Sequence, residues 1–121
     1  MATKIINNDW VSLNEIDAIL DNNDKVELSD STKKVIQKCR AYLDDKVARS
    51  EKLIYGVNTG FGSLCNTAIS NSDLEQLQTN LVLSHACGTG EEAPSELVKR
   101  MILLKVLGLS HGHSGVQLAT V

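Results

Sequence analysis

The residues between Tyr55 and Gly62 combine a tyrosine with closely spaced glycines, which could bring a reactive side chain and bare backbone to a ligand. Gly56, Gly60 and Gly62 fall within seven positions, so the backbone can approach a ligand or a neighbouring chain closely. The stretch is not a dinucleotide fingerprint, because Cys65 occupies the third glycine position, and the Gly-Lys-Ser/Thr of a phosphate-binding loop does not follow. Spacing alone favours a structural glycine turn and leaves a ligand-facing loop as the alternative.

His85 is a second residue that could do chemistry. It follows Leu81 by four positions and Leu77 by eight, so the three side chains share one stripe of a helix. A histidine on an apolar stripe is more often a hydrogen-bonded core residue than a functional one. The residues alone therefore favour the core interpretation over a binding role.

His111 and His113 flank a single glycine and could together hold a metal ion. A third ligand of a suitable type is not close in the sequence, so we predict that there is no metal site. Three cysteines without a Cys-X-X-Cys pair fit reduced thiols, and Cys87, near His85, is a weak candidate nucleophile.

The first quarter of the chain predicts a helix followed by a strand. Ser12–Glu15 forms a capping box, and the helix that it begins ends at the polar turn 21–24. The apolar face of this helix consists of Leu13, Ile16, Ile19 and Leu20. Residues 25–28 alternate in polarity, which predicts a short strand paired with residues 4–6.

A long amphipathic helix is predicted to begin at Asp30 or Ser31 and to lead towards the glycine-rich loop. Its apolar stripe consists of Val35, Cys39, Tyr42, Leu43 and Val47. Residues 53–55 are apolar and predict a short strand that runs directly into the loop.

The second half of the chain predicts three further helices. Ser72–Glu75 is a capping box for the helix that carries His85. Pro94 fits the first turn of a helix over residues 94–107, which is apolar almost all round and is therefore expected to be buried inside something larger. Ser114–Gln117 is another capping box, and because the sequence stops within about two turns of it, we expect the chain to be truncated there.

The composition excludes several classes of protein. Apolar residues make up 42% of the 121 positions, charged residues 22%, and the net charge is -3. A nucleic-acid-binding protein would carry a basic excess, and a membrane-spanning helix would need a long uncharged apolar run that the sequence lacks. A mainly α, cytoplasmic protein with a small strand element is predicted, without an internal domain boundary.

Three segments together resemble the aromatic amino acid ammonia-lyases, and within that family the histidine ammonia-lyases. They are Tyr55–Gly62 (YGVNTGFG), Leu77–Gly90 (LQTNLVLSHACGTG) and Leu109–Gly115 (LSHGHSG). Many histidine ammonia-lyases carry Arg and Phe where this chain has His111 and His113. The resemblance is strong over residues 53–121. Before residue 53 it is limited to the order of secondary-structure elements: a strand, a short helix and a long helix.

The resemblance implies elimination of ammonia from L-histidine to give urocanate. Tyr55 would be the catalytic tyrosine in the proton transfers. Because a free phenol has a pKa of about 10, it would need positive charge or helix N-termini nearby. His85, with Ser84, would contact the imidazole of the substrate. The active-site loop would consist of Gly56, Asn58, Thr59, Gly60, Phe61 and Gly62.

The resemblance also implies the N-terminal portion of the helical ammonia-lyase (fumarase/aspartase-like) fold, with residues 1–121 as a single segment of a longer lyase. The family's methylidene-imidazolone electrophile forms from an internal Ala-Ser-Gly, which this sequence lacks, so the chain alone is expected to be inactive. The partners implied are an amino acid substrate and, for the whole enzyme, three further copies in a homotetramer, with no nucleic acid or membrane.

Two alternatives remain at this point. The whole protein could be a tyrosine or phenylalanine ammonia-lyase, or an aminomutase with the same electrophile. Outside enzymes, the 121-residue chain could be a non-catalytic helical interaction module.

Overall fold

The computed structural model describes residues 2–49, 52–70 and 72–121. The chain forms two compact units, of which the first combines Met1–Asp45 with Glu92–Val121 and the second consists of Lys46–Glu91. The first unit is therefore built from both ends of the chain, and the second contains the glycine-rich loop and the helix of His85.

The first unit begins with a strand, a helix and a second strand. Strand β1 (Thr3–Ile6) pairs with β2 (Lys25–Leu28), which confirms the predicted pairing of residues 25–28 with residues 4–6. In the observed register Thr3 lies opposite Lys25. The pairing is parallel, because the intervening helix α1 (Leu13–Asp21) carries the chain back to the same end of the sheet.

Helix α1 begins with the predicted capping box. The Ser12 hydroxyl accepts a hydrogen bond from the backbone N–H of Glu15 at 3.3 Å, and the Glu15 carboxylate accepts one from the Ser12 N–H at 3.0 Å. The backbone hydrogen bond from Ser12, followed by the side-chain hydrogen bond from Lys4, lowers the pKa of Glu15 to about 2. The cap fixes the start of the helix next to β1.

The core of the first unit forms where α1 meets the long helix near the C-terminal end. Ile16 and Ile19 pack with Leu103, and four half-buried residues surround them: Val11, Leu20, Val26 and Leu107. Leu13 was predicted on the inward face but is 73% exposed. The reason is its position at the first residue of α1, one turn before the part of the helix that this core covers.

Helix α2 (Asp30–Arg49) is the predicted long helix, but its N-terminal cap differs from the prediction. The Ser29 hydroxyl, rather than Asp30 or Ser31, accepts a hydrogen bond from the backbone N–H of Thr32 at 3.2 Å. Ser29 follows β2 directly, so the strand passes into the helix without a linker.

The inward face of α2 agrees only in part with the predicted stripe, of which Cys39, Leu43 and Val47 are half-buried. Thr32 and Ile36 are the buried residues of this helix, whereas Tyr42 is 65% exposed and Val35 is 37% exposed. The Thr32 hydroxyl donates to the carbonyl oxygen of Ile6 at 3.2 Å. That tie to β1 turns the Thr32 side of the helix inwards, and apolar periodicity did not reveal it because threonine is not counted as apolar.

Helix α4 is the long helix near the C-terminal end, and it covers Ser95–Ser110. Pro94 is its N-cap rather than its first residue, and the helix continues three residues beyond the predicted end. Leu103 is buried in the core. Several apolar side chains of the helix are nevertheless exposed, namely Leu97, Val98, Met101, Ile102 and Leu104. The burial of this helix in a larger body stays a prediction.

The loop after α4 lies directly against α2. A Cβ atom on Gly112 would come within 2.5 Å of Val35 Cγ1, and one on Gly115 within 2.6 Å of Leu43 Cδ2. The capping box predicted at Ser114 is wrong, since only a 3-10 turn follows, at Leu118–Thr120. Gly115, which would be the first helical residue, has a left-handed φ of +69° and cannot begin an α-helix.

None of the helices within residues 2–49, 52–70 and 72–121 has the length and apolar character that crossing a membrane requires.

Candidate active site

The glycine-rich loop of the second unit opens with a turn at Ile54, not with the strand predicted over residues 53–55. The N–H groups of Val57 and Asn58 both donate to the carbonyl oxygen of Ile54, at 3.0 and 3.2 Å. Tyr55 therefore sits at the first corner of this turn. An apolar run of three residues did not become a strand because its backbone groups find partners inside the loop.

Asn58 supplies the side chain that holds this turn together. Its Oδ1 accepts a hydrogen bond from the N–H of Ile54 at 2.6 Å, and its Nδ2 donates to the carbonyl oxygen of Lys52 at 3.1 Å. One amide thus ties together the two sides of the backbone around Tyr55, which limits how far the tyrosine can move.

Thr59 is fully buried beneath the loop and connects its two halves. Its hydroxyl accepts a hydrogen bond from the N–H of Gly56 at 3.3 Å and donates to the carbonyl oxygen of Gly60 at 2.9 Å. Thr59 also forms an antiparallel bridge with Ala68. The loop is consequently a closed structure with its own buried polar centre.

Two of the glycines are required by this geometry for different reasons. Gly56 has a φ of +73°, a backbone conformation that side chains disfavour. A Cβ on Gly60 would lie 2.6 Å from Leu64 Cβ and 2.9 Å from the Leu64 carbonyl oxygen. Gly56 and Gly60 thus each have a structural reason in this turn, and the ligand-facing role of the loop stays a prediction.

Tyr55 and Phe61 are the aromatic residues of the loop, and their rings pack edge to face. The ring centroids lie 5.9 Å apart, and the ring planes are inclined at 70°. Tyr55 remains 64% exposed despite this contact. The loop therefore presents a tyrosine whose ring is supported on one side and open to solvent on the other.

Helix α3 (Leu74–His85) carries the other candidate site residues, but it does not begin with the predicted capping box. Asp73 is the N-cap, in a helical rather than an extended conformation, and its side chain caps nothing. The Ser70 hydroxyl lies 2.8 Å from the Ser72 hydroxyl and donates to the Asp73 carboxylate at 2.6 Å. The Ser72 hydroxyl, which the capping box would have used, thus belongs to this local cluster instead.

His85 is the last residue of α3 and is exposed, so the core interpretation is wrong. Leu77 and Leu81 on the same stripe are half-buried, and the burial ends with the helix. The His85 Nδ1 atom lies 2.9 Å from the carbonyl oxygen of Leu81 and 3.0 Å from the Ser84 hydroxyl. The Ser84 hydroxyl also donates to the Leu81 carbonyl, at 2.9 Å.

These three contacts form a small network that sequence reasoning missed. Its centre is the Leu81 carbonyl oxygen, a backbone group at the C-terminal end of α3 that has no sequence signal of its own. The imidazole of His85 is therefore held against the last turn of the helix and faces solvent on its other side.

His111 and His113 lie in the first unit and are exposed. Among the residues that the structure describes, His, Cys, Asp and Glu side chains do not gather in groups of three or more that could hold a metal ion. Cys39 and Cys65 are half-buried and Cys87 is exposed, all as free thiols.

A sequence model described as aromatic amino acid lyase matches residues 11–121 of this chain. The chain belongs to the aromatic amino acid lyase family. The curated relatives of the chain include a histidine ammonia-lyase from Streptococcus gordonii, which is 38% identical over 98% of this chain. The alignment covers 23% of that relative, so the chain spans about a quarter of its length.

Two solved structures have a fold similar to that of this chain. Histidine ammonia-lyase from Trypanosoma cruzi is 33% identical, with a TM-score of 0.81 over 99% of this chain and 22% of that one. The ergothioneine-degrading ergothionase from Treponema denticola is 28% identical, with a TM-score of 0.88 over 95% of this chain and 23% of that one. The predicted fold class, mainly α with a small strand pair, is confirmed.

Proposed function

We propose that this chain is part of a lyase that eliminates ammonia from L-histidine to give urocanate. The observation that carries the proposal is the exposed imidazole of His85, anchored to α3 through Nδ1, in the same unit as the exposed Tyr55. The similarity to histidine ammonia-lyases, rather than to the family alone, supports this choice of substrate.

Tyr55 is the proton-transfer residue in this proposal. The elimination breaks the Cα–N bond of the substrate, removes one proton from Cβ and forms the Cα=Cβ double bond, with ammonia leaving. Tyr55 takes part in this proton transfer through its phenolic oxygen. Its exposure and its fixed position on the turn at Ile54 support this role, because a base must reach the substrate and stay in register with it.

The remaining loop residues position Tyr55. Asn58 and Thr59 hold the backbone on both sides of the tyrosine, and Phe61 supports its ring from the edge. Gly60 allows the close approach to Leu64 that folds the loop back on itself. A loop built in this way can cover bound substrate and keep water from the reacting carbons.

The methylidene-imidazolone group of the family cannot be formed from this chain, because Ala-Ser-Gly does not occur in its 121 residues. The residues present nevertheless fit a site that faces such a group. The Tyr55 ring stays largely exposed beside its contact with Phe61, and His85 stays exposed beside its hydrogen bonds to the last turn of α3. When bound, the group supplies the electrophile that activates the amino group for departure. Tyr55 then takes part in the proton transfer, and His85 binds the imidazole ring of the substrate.

The whole enzyme is proposed to be a cytoplasmic homotetramer. The exposed apolar side chains of α4 support association with further protein, because a patch of this kind on one helix is costly in water. The 121-residue chain by itself is proposed to be inactive.

Turnover of amino acids by the full-length protein tests the proposed function. L-histidine, L-tyrosine and L-phenylalanine are supplied separately. The unsaturated acid that each would give (urocanate, 4-hydroxycinnamate or cinnamate) is followed by its own ultraviolet absorbance. The highest kcat/KM is expected for L-histidine. A higher kcat/KM for tyrosine or phenylalanine, or a β-amino acid as the main product, would replace this proposal by a lyase or an aminomutase of different specificity.

A further inference from the structure

The last turn of α3 contains a hydrogen-bond network whose direction can be worked out from chemistry alone. The Leu81 carbonyl oxygen can only accept, and it lies 2.9 Å from His85 Nδ1. Nδ1 must therefore carry the hydrogen. In a neutral imidazole the hydrogen is on one nitrogen only, so Nε2 of His85 is left as a bare acceptor.

Ser84 strengthens this arrangement from the neighbouring position. Its hydroxyl donates to the same Leu81 carbonyl at 2.9 Å, which leaves the Ser84 oxygen lone pairs free to accept from His85 Nδ1 at 3.0 Å. The Nδ1–H is thus shared between two acceptors. In the tautomer with a bare Nδ1, that nitrogen would face the Leu81 carbonyl lone pairs, and the Ser84 hydroxyl could donate to it only by giving up its hydrogen bond to the same carbonyl.

We propose that Ser84 is a positioning residue that holds His85 as the Nδ1–H tautomer, so that Nε2 accepts a hydrogen bond from a ring N–H of the substrate. This inference rests on the proposed function for the identity of the substrate ring. It specifies which partner donates the hydrogen bond between His85 and the substrate. The site therefore selects substrates whose ring donates an N–H, and it disfavours rings of the same size that only accept.

The direction follows from what would be left unpaired. A substrate ring with an acceptor but no N–H would face the lone pair of Nε2 with a lone pair of its own, and neither group would be satisfied once water is excluded. L-histidine avoids this because its imidazole has a donor and an acceptor nitrogen and can turn the donor towards His85.

The tautomer is tested directly by the ¹⁵N chemical shifts of the His85 ring, measured at a pH where the imidazole is neutral, in the 121-residue chain. The expected result is a protonated Nδ1 and a bare Nε2. Ser84→Ala should shift the ring population towards the Nε2–H tautomer, whereas Ser84→Thr, which keeps the hydroxyl, should not. His113 serves as the internal reference, because its shifts should be the same in all three proteins. A predominantly Nε2-protonated His85 in the unsubstituted chain overturns the proposal, and an unchanged tautomer in Ser84→Ala removes Ser84 from it.

The consequence for specificity is tested in the full-length protein with L-histidine and 4-thiazolylalanine, whose ring is similar in size but has no N–H. The kcat/KM for L-histidine divided by that for 4-thiazolylalanine should fall about tenfold in Ser84→Ala. The ratio should return to the parent value in Ser84→Thr. A parent protein that shows equal kcat/KM for the two substrates overturns the selection for a ring donor, and an equal ratio in all three proteins removes Ser84 from it. A full-length protein that does not turn over L-histidine overturns the proposed function instead, and the ¹⁵N measurement still decides the tautomer.

Discussion

Tyr55 and Phe61 stand edge to face with their ring centroids 5.9 Å apart, at the two ends of a loop that Asn58 and Thr59 close from within. The contact leaves most of the tyrosine ring exposed. Aromatic pairs in this geometry are worth roughly 0.5–1.5 kcal/mol beyond the area they bury, enough to favour one orientation of a surface tyrosine. The phenyl ring of Phe61 thus aims the Tyr55 ring without burying it.

Removal of the Tyr55 hydroxyl tests the role of Tyr55 in proton transfer without changing how its ring packs. Tyr55→Phe keeps the ring contact with Phe61, so the loop should retain its structure. In the full-length enzyme kcat should fall by about 10²–10⁴-fold, the usual contribution of a proton-transfer group. Circular dichroism of the variant should match that of the parent. Near-normal turnover of L-histidine would show that Tyr55 takes no part in the proton transfer.

Replacement of Ser84-His85 by His-Leu tests the residues that contact the substrate ring. The double variant removes the imidazole from position 85 and leaves a ring nitrogen of the substrate unpaired. The kcat/KM for L-histidine should fall roughly ten- to a hundredfold, corresponding to about 1–3 kcal/mol. Steady-state kinetics on L-histidine check this. Unchanged kinetics would place the substrate ring elsewhere.

Gly60→Ala should destabilise the loop by overpacking. The new methyl group would meet Leu64 Cβ at 2.6 Å and the Leu64 carbonyl oxygen at 2.9 Å, so the backbone must shift, at a cost of about 1–3 kcal/mol. Gly88→Ala is the matched control, since a Cβ there has nothing within 4 Å. Urea unfolding followed by tyrosine fluorescence compares the two. Equal midpoints for the two variants would contradict the close approach.

The cap of α1 gives the stability of the chain a pH dependence at acid pH. The pKa of Glu15 is lowered from 4.5 to about 2 by its hydrogen bonds with Ser12 and Lys4. A lowered acid pKa contributes stability that is complete above the unfolded pKa and is lost as the pH falls towards the folded one. Glu15→Gln should therefore lower the Tm at pH 7, and the difference from the parent should shrink between pH 4.5 and pH 2. A difference in Tm that stays constant across this range would exclude the ionised cap as its cause.

The exposed apolar side chains of α4 should cause the isolated 121-residue chain to associate. Met101 and Ile102 are 60% and 58% exposed, and burial of a large apolar side chain contributes about 1.5–3 kcal/mol. Sedimentation velocity should show dimers or larger species at high concentration. Ile102→Lys should weaken the association at least roughly tenfold. Lys105→Glu, at an exposed polar position of the same helix, is the control. A strictly monomeric parent chain at high concentration would contradict this expectation.

Local signals in the sequence determined where several elements of the first unit lie. The capping box at Ser12, the alternating residues 25–28 and the long amphipathic pattern after Ser29 each act over a few neighbouring positions. Interactions of that range are encoded in adjacent residue types, so they can be predicted without the fold. The motif around Tyr55 likewise identified the family.

The tertiary structure decided which side chains face inwards and which local signals take effect. Thr32 turned α2 towards β1 through a hydrogen bond to a residue 26 positions away. Gly115 lies close to Leu43, and the helix predicted from Ser114 did not form there. His85 left the core because α3 ends there, and the Leu81 carbonyl became its partner. Each outcome depends on groups that meet only when distant segments pack or a helix ends. Every residue has a backbone carbonyl, so the type of residue in the sequence does not indicate which carbonyl will become a partner.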